Sequence, residues 1–286
     1  MSEHPEPPFD TALRAIDRWS ETVGQRLLRM LSPIYGEGFR HPELIGSGVL
    51  IRANELVFLV SAAHVADDVR PSRPHYFGAL GQLLPLPSLR FTSPLPASGS
   101  RDDDRVDLAY WVLDPSVSRR MPSAETLFLS QLQLTIEPRG AQAYQYLVNG
   151  YPHTRQPRRF VENEFAVKDF GFITDELDEE SYAKASVDRD HNILVEFDRE
   201  DVFRRGQQVL GPDLQGVSGG ALWALDGRSA SPQRPLLAGI VTTWRRAAPK
   251  GIIATRIAEW ARIAASQFPE VAAVLRRQVF GNAPQN

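Results

Sequence analysis

The feature that most constrains this chain is a serine with glycines on both sides, within the stretch QGVSGGALW at residues 215–223. Glycine is unfavourable inside a helix or a strand, because it loses more backbone freedom on folding than any other residue. The stretch therefore predicts a tight turn whose backbone N–H groups face a ligand. Ser218 in such a turn is typical of an exposed nucleophile beside backbone donors, which acyl transfer requires. Because a Gly/Ser loop without function would look much the same, the rest of the chain must supply a base, an orienting acid and a fold.

The composition narrows the classes of protein to which the chain can belong. Of its 286 residues 42% are apolar, which is enough for one large β domain or two small lobes. The net charge is −3, so no basic field points to nucleic acid or to an anionic membrane. The chain has no cysteine, which excludes a disulfide scaffold, a cysteine nucleophile and cysteine-ligated zinc.

The beginning of the chain gives an expectation for its location. Residues 1–8 are acidic and rich in proline, without the basic and apolar regions of a signal peptide. No uninterrupted apolar run approaches membrane-spanning length. Since the absence of cysteine is compatible with a reducing compartment, the sequence predicts a soluble, cytoplasmic protein.

The hydrophobic pattern divides the chain into a tail, a helix, a β domain and a helical extension. We expect a flexible tail over residues 1–8 and a helix over residues 9–33, because apolar residues there recur mostly at steps of three, four or seven. Residues 34–256 contain many short β-rich runs between turn signals, which predicts a mainly β domain with a barrel or sandwich core. Residues 255–286 are helical in pattern, with Thr255 as the N-cap of the first helix.

Two polar residues stand out by their position in this pattern. His64 directly follows a β-rich run, which places it at the rim of a sheet rather than inside it. Asp107 lies within an apolar strand, and since a buried, unpaired carboxylate is costly, it needs a hydrogen-bonding partner. Residues 102–104, three consecutive aspartates, are typical of a solvated charge run. Asp104 and Asp114 remain alternative candidates for the orienting acid.

The candidate residues follow one another in the order His, Asp, Ser, and four blocks around them resemble the trypsin/chymotrypsin-like serine peptidases. The blocks are GSGV at residues 46–49 with SAAH at 61–64, VDLA at 106–109, GVSGG at 216–220 and GIVTTW at 239–244. The resemblance covers about residues 44–256 and is to the bacterial-type, intracellular members without disulfides. It implies two six-stranded antiparallel β-barrels, about residues 40–120 and 125–254, with additional N- and C-terminal helices.

The resemblance also implies a role for each candidate residue. Ser218 attacks the scissile carbonyl carbon, His64 takes its proton and later passes it to the leaving amine, and Asp107 holds the imidazole in the required tautomer. The backbone N–H groups of Gly216 and Ser218 bind the developing oxyanion. Thr242 stands where the family uses a serine hydroxyl to support the acid. The chemistry needs neither a metal nor an organic cofactor.

Departures from the family pattern bear on activation and specificity. Val217 replaces the aspartate that pairs with a new N-terminus in secreted members, so the oxyanion loop is either held by other contacts or ordered by a partner or substrate. Trp244 stands where many members have a glycine at the mouth of the primary pocket, and Thr243 lies beside it. Pro212 stands where an acidic residue marks trypsin-like specificity, with Asp213 next to it. A one-residue shift of the alignment changes the predicted substrate from apolar or small to basic, and both stay open.

Two classes of function follow. The first is a serine endopeptidase that hydrolyses peptide bonds through an acyl-enzyme intermediate, with a protein or peptide as substrate. An esterase shares the chemistry, but the family resemblance points to peptide bonds. The second is a protein-binding module that has the protease fold with little or no hydrolytic activity. In either class the terminal helices are candidate docking elements for a regulatory protein partner, and neither nucleic acid nor a membrane is an expected partner.

Overall fold

The computed structural model describes most of the chain, and the described part is mainly β. The described residues are 23–24, 26–36, 42–69, 73–79, 82–87, 90–134, 145–155, 170–204, 207–225 and 235–280. None of the helices within these ranges is both long and apolar enough to cross a membrane.

The first sheet contains eight strands among the described residues. They are β1 (Leu31–Gly36), β2 (Glu43–Ala53), β3 (Leu56–Ala62), β4 (Tyr76–Ala79), β5 (Gln82–Pro85), β6 (Arg90–Thr92), β7 (Leu108–Val112) and β8 (Leu127–Phe128). In space they run in the order β5-β4-β1-β2-β3-β7-β6, and all these neighbours are antiparallel. The short strand β8 pairs with β2 in parallel.

The central strands are continuously apolar over residues 49–51 of β2 and 57–60 of β3, because both of their faces are buried there. Successive side chains of a strand point to opposite faces of the sheet. Val49 and Ile51 of β2 pack into a core that also contains Trp223 of the second sheet. Leu50 and Leu59 pack into a separate core on the other face. The first of these cores therefore joins the two sheets, and the candidate residues lie around that junction.

The second sheet contains six antiparallel strands and closes on itself. The strands of this half of the chain are β9 (Gln145–Gly150), β10 (Phe170–Asp175), β11 (Asn192–Glu196), β12 (Val202–Arg204), β13 (Gln207–Val209), β14 (Ala221–Leu225), β15 (Leu236–Arg245) and β16 (Gly251–Arg256). The sheet order is β10-β9-β14-β15-β16-β11, while β12 and β13 form a separate hairpin. Glu176, directly after β10, bridges to Val195 of β11. The hydroxyl of Thr174 donates to the carbonyl oxygen of Glu196 at 2.6 Å, so the two edge strands meet.

The predicted mainly β fold with two antiparallel barrels is confirmed, although the first sheet holds more strands than the six expected. The first barrel also begins earlier than the predicted residue 40, because β1 belongs to it.

The predicted helix over residues 9–33 extends too far. Residues 23–24 and 26–28 are helical, whereas residues 1–22, which include the predicted tail, lie outside the described residues. Leu31–Gly36 is a strand because it pairs with β2 along its whole length and all six of its side chains are buried. Tertiary pairing here overrides a local helical period, as it commonly does.

The helices are short except at the C-terminus. Besides the helical residues 23–24 and 26–28, the α-helices within the described ranges are α1 (Ala63–Asp67), α2 (Pro115–Arg120), α3 (Glu179–Ala185), α4 (Ile257–Gln267) and α5 (Pro269–Phe280). Thr255 is not the N-cap of α4, since it is still part of β16 and its hydroxyl donates to the carbonyl oxygen of Val106 at 2.6 Å. Trp260 of α4 is fully buried, and its ring packs edge-on against Phe58 of β3 at 5.4 Å between centroids. The extension that follows the second barrel therefore packs against the first.

We expect Trp260→Ala to lower the free energy of unfolding by about 3–5 kcal/mol, because it leaves a large cavity in the core that joins the barrels. Equilibrium denaturation in urea measures the change. Ser266→Ala, on the exposed side of the same helix, is the control and should change stability by no more than about 0.5 kcal/mol. A loss below about 1 kcal/mol for Trp260→Ala would show that α4 is not docked as described.

Candidate active site

The sequence pattern placed Asp107 within an apolar strand. In the structure Asp107 instead occupies a strained turn immediately before β7. Its φ is +38°, in the left-handed region that aspartate tolerates better than most residues. The turn is held in part by the N–H of Ala63, which donates to the carbonyl oxygen of Asp107 at 3.0 Å. The side chain is only 7% exposed. The turn thus brings a buried carboxylate against the start of α1.

Both oxygens of this carboxylate accept hydrogen bonds from His64, the second residue of α1. The backbone N–H of His64 donates to Oδ1 at 3.0 Å, and Nδ1 lies 2.7 Å from Oδ2. Because an ionised carboxylate only accepts, Nδ1 carries the proton and Nε2 of the neutral ring has the free lone pair. Within the described ranges Nε2 has no hydrogen-bond partner, and 36% of the side chain is exposed. This arrangement leaves one basic nitrogen available to solvent or a ligand.

The electrostatic surroundings favour the protonated form of this imidazole. Burial lowers the pKa of His64, but the hydrogen bond and the charge of Asp107 raise it. The charges of Asp68 and Asp67 add to this effect, and the net result is a pKa above the usual value of 6.5. A raised pKa makes the imidazole a stronger base whenever it is neutral.

The alternative acids have structural roles. Asp104 is not part of a solvated run, since its side chain is 7% exposed. It accepts from the hydroxyl of Ser93 at 2.6 Å, from Arg101 at 2.7 Å and from the backbone of Val106 at 3.0 Å. Burial opposes ionisation, but these hydrogen bonds, together with one from the backbone of Asp107, lower the pKa of Asp104 below its usual value. Asp104 therefore shapes the loop that delivers Asp107.

Asp114 is the N-cap of α2. The hydrogen bond from the Ser116 hydroxyl, followed by the one from the Ser116 backbone N–H at 2.7 Å, lowers the pKa of Asp114. The carboxylate paired with His64 is therefore that of Asp107 and not that of either alternative.

Ser218 lies in a tight loop that is fixed to both barrels. Its carbonyl oxygen accepts from the N–H of Ser47 in β2 at 2.7 Å, and the N–H of the following Gly219 donates to Val241 of β15 at 2.7 Å. The hydroxyl of Ser218 donates to the carbonyl oxygen of Thr242 at 3.3 Å. No hydrogen bond joins this hydroxyl to His64 within the described part of the chain.

Gly46 shows how closely the serine loop approaches the helix that carries His64. A Cβ added at Gly46 would lie 2.5 Å from a methyl carbon of Val65 and 3.2 Å from the carbonyl oxygen of Ser218. Val65 is the neighbour of His64 in α1. The side chain that follows His64 and the carbonyl oxygen of Ser218 therefore both lie against Gly46, on the side where a side chain would be.

The backbone N–H groups of Gly216 and Ser218 are free to bind a ligand, because the carbonyl oxygens of the same peptide units are hydrogen-bonded in the opposite direction. The carbonyl oxygen of Gln215 accepts from the N–H of His153 at 2.7 Å, and that of Val217 accepts from Gly220 at 2.8 Å. In a trans peptide the C=O and the following N–H point in opposite directions. The N–H groups of Gly216 and Ser218 therefore point away from these partners, and neither has an acceptor among the described residues.

The two glycines of the loop have backbone conformations that other residues rarely adopt. Gly216 has a φ of +92°, and a Cβ there would lie 2.8 Å from the carbonyl oxygen of Tyr151. Gly219 has a φ of +83°, and a Cβ there would lie 1.9 Å from the carbonyl oxygen of Ser47. Both positions need glycine, as the sequence pattern had indicated.

Thr242 does not support the acid in the way predicted. Its hydroxyl donates to the carbonyl oxygen of Ile253 at 3.2 Å rather than to Asp107. The pairing of β15 with β16 shifts register between Val241 and Thr243, and this bulge sets the direction of the Thr242 side chain. Thr242 instead contacts the site through its backbone carbonyl, which accepts from Ser218.

The predicted pocket residues are accompanied by an arginine that the sequence analysis missed. One oxygen of Asp213 accepts from the N–H of Gln215 at 3.0 Å, and the other lies 3.2 Å from the guanidinium of Arg246. That guanidinium also stacks on the ring of Trp244, 4.2 Å from its centroid. Thr243 is exposed beside it. The signal for this cluster was an arginine two residues after the tryptophan, directly after the end of the same strand.

Comparison with solved structures identifies the architecture. Neuropsin, described as a serine protease expressed in the limbic system of mouse brain, shares 13% sequence identity with this chain at a TM-score of 0.53, over 85% of this chain and 95% of neuropsin. The chain has the trypsin-like double β-barrel fold. Human heparin binding protein shares 15% identity at a TM-score of 0.53, over 85% of this chain and 94% of that protein. No protein-family model and no curated protein matches the sequence.

The raised pKa of His64 gives a prediction for this trypsin-like fold that does not depend on activity. In a titration followed by NMR, we expect the His64 ring to protonate with a midpoint above 6.5, because Asp107 favours the imidazolium. Asp107→Asn removes that charge, so the midpoint should fall. Asp114→Asn, the control, should leave it unchanged. A midpoint that is the same in wild type and in Asp107→Asn would show that the two side chains are not paired in solution.

Proposed function

We propose that the chain is a serine endopeptidase that hydrolyses peptide bonds through a covalent acyl-enzyme intermediate. The observation that carries the proposal is the pairing of a half-exposed His64 with both oxygens of the buried carboxylate of Asp107. A glycine-flanked Ser218 beside two open backbone N–H groups supports it. The shared fold with a serine protease agrees with it.

In this mechanism His64 is the general base. Its Nδ1–H is held by Asp107, so Nε2 of the neutral ring can accept the proton of the Ser218 hydroxyl. At rest that hydroxyl donates to the carbonyl oxygen of Thr242. We therefore expect the Ser218 side chain to rotate about χ1, between staggered positions, to reach His64 when a substrate enters. Asp107 stabilises the imidazolium that forms and stays ionised.

The backbone of the serine loop stabilises the transition state. As the Ser218 oxygen bonds to the scissile carbon, the carbonyl oxygen gains negative charge and accepts from the N–H groups of Gly216 and Ser218. Loss of one such donor typically costs about 2.7–4 kcal/mol of transition-state stabilisation. The protonated His64 then gives its proton to the leaving amine. Water, deprotonated by the same imidazole, releases the acyl group and restores the serine.

The ion pair between Asp213 and Arg246 favours one of the two substrate classes that the sequence left open. The Asp213 carboxylate is already paired with Arg246 and with its own loop N–H. A carboxylate that is already ion-paired attracts a second basic side chain less than an unpaired one does. We infer that the primary pocket takes an apolar or small side chain rather than a basic one.

A cytoplasmic location is part of the proposal. It is supported by the absence of cysteine, because a chain that folds without disulfides can be stable in a reducing compartment. Substrates are accordingly cytoplasmic proteins or peptides. The terminal helices are the elements on which a regulatory protein partner would dock.

The second candidate is a protein-binding module with little or no hydrolytic activity. The observation that favours it is the resting position of the Ser218 hydroxyl, which donates to Thr242 and not to His64. One protein with the same fold is a heparin binding protein by name, so the fold does not by itself decide between catalysis and binding. In this alternative the crevice between the barrels is a docking surface.

A fluorophosphonate probe separates the two candidates. We expect the wild-type chain to be labelled at Ser218, as located by mass spectrometry, and labelling to slow as the pH falls below the raised pKa of His64. Ser218→Ala should abolish labelling and His64→Ala should slow it by at least about 10²-fold, because general-base assistance is lost.

Two controls match these variants. His191 forms a second histidine–carboxylate pair with Glu259 at 2.9 Å, and 38% of its side chain is exposed, so His191→Ala tests whether any such pair matters. Ser116→Ala removes an exposed serine hydroxyl away from the site. Both should label like wild type. No labelling of wild type at any pH would favour the binding module.

A further inference from the structure

The pairing of His64 with Asp107 does not explain what holds the two N–H groups of the serine loop in the open direction. In secreted proteins of the family that the sequence resembles, an aspartate before the serine pairs with the N-terminus. Here that position is Val217, which is 1% exposed and packs against Gly150, where an added Cβ would lie 2.8 Å from a Val217 methyl carbon. An apolar side chain in an apolar setting cannot form an ion pair.

The hydroxyl of Ser47 makes the contact that fills this role. Ser47 is fully buried in β2 of the first barrel. Its hydroxyl donates to the carbonyl oxygen of Gly216 at 2.9 Å and accepts from the backbone N–H of Tyr151 at 3.0 Å. Its backbone N–H donates to the carbonyl oxygen of Ser218 at 2.7 Å. One residue therefore binds the carbonyl oxygens on both sides of Val217.

These contacts fix the peptide that lies between the two open N–H groups. The peptide joining Gly216 to Val217 is held at its oxygen by Ser47 and at its N–H by Leu214, to which Val217 donates at 2.9 Å. A rotation of this peptide would break both hydrogen bonds and would leave the hydroxyl hydrogen of Ser47 and the carbonyl oxygen of Leu214 without partners. Buried polar groups without partners are costly, so the conformation is strongly favoured.

The position of Ser47 is itself fixed from the first barrel. Its carbonyl oxygen accepts from the hydroxyl of Ser61, on the neighbouring strand β3, at 2.7 Å. The Ser61 side chain is fully buried as well. A chain of hydrogen bonds thus runs from β3 through Ser47 to the serine loop of the second barrel, and none of it involves the N-terminus.

We propose that Ser47 is a positioning residue that holds the oxyanion loop in its open form, so that the chain needs no cleavage of its N-terminus to become active. The proposal rests on the proposed peptidase function for its catalytic consequence, but the loop conformation itself can be measured in an inactive protein. Ser47 does not contact the reacting atoms. It acts through the Gly216 carbonyl and the Ser218 carbonyl.

The test compares Ser47→Ala with Ser32→Ala. Ser32 is also a fully buried serine of the first sheet, and its hydroxyl donates to the carbonyl oxygen of Gly78 at 2.9 Å, away from the loop. We expect Ser47→Ala to lower kcat by about 10- to 100-fold with little change in KM, since the loss falls on transition-state donors. Ser32→Ala should keep kcat within about twofold of wild type.

Backbone hydrogen exchange measures how firmly the serine loop is held, and it does not depend on catalytic activity. The N–H groups of His153, Val217 and Gly220, all hydrogen-bonded in the loop, should exchange faster in Ser47→Ala and at the wild-type rate in Ser32→Ala. The NMR titration of His64 should be unchanged in Ser47→Ala, because the Asp107 pair is untouched. Faster exchange in a protein that neither cleaves nor labels would uphold the loop assignment and reject the peptidase.

A comparison of labelling rates in chains that keep Ser47 tests the proposal even if Ser47→Ala does not fold. A chain with an uncleavable N-terminal extension should label with fluorophosphonate at the same rate, within about twofold, as the chain without it. Labelling that appears only after N-terminal cleavage would overturn the proposal. Unchanged exchange and unchanged kcat in a folded Ser47→Ala would overturn it equally.

Discussion

The buried carboxylate of Asp107 is the interaction on which the rest of the site depends. An ionised carboxylate removed from water is costly unless its lone pairs are satisfied. Here His64 satisfies both oxygens, one through its backbone and one through its ring. The same two hydrogen bonds therefore stabilise the turn before β7, orient the imidazole and fix which ring nitrogen carries the proton. Structure and candidate chemistry are inseparable at this point, because one set of contacts serves both.

The serine loop contributes to the site through backbone N–H groups rather than through side chains other than that of Ser218. The direction of the Gly216 and Ser218 N–H groups follows from hydrogen bonds made by the carbonyls of their own peptide units, to His153 and Gly220. No side chain needs to point at the future oxyanion. What the loop requires is glycine where φ is positive, and a partner for the remaining carbonyl, which Ser47 supplies from the other barrel. The serine loop is thus held by both sheets.

The resemblance of the sequence blocks to one peptidase family selected His64 and Asp107 beside Ser218 and predicted two β-barrels. The short β-rich runs alone predicted only a barrel or sandwich core. Prediction from the sequence failed where contacts between distant residues decide the outcome. The bulge at Thr242 redirects a hydroxyl, and the bond from Ser47 to Gly216 joins residues 169 positions apart. No local pattern carries that information.

A crystal structure of the protein after reaction with a fluorophosphonate would show whether Ser218, His64 and the amides of the serine loop act on the same group. We predict a phosphorus atom bonded to the Ser218 oxygen, with a phosphonyl oxygen about 2.7–3.1 Å from the backbone nitrogens of both Gly216 and Ser218. We also expect Nε2 of His64 to lie within hydrogen-bonding distance of the adduct. An adduct whose oxygen points away from both amides, or an imidazole that remains out of reach of the modified serine, would contradict the proposed mechanism.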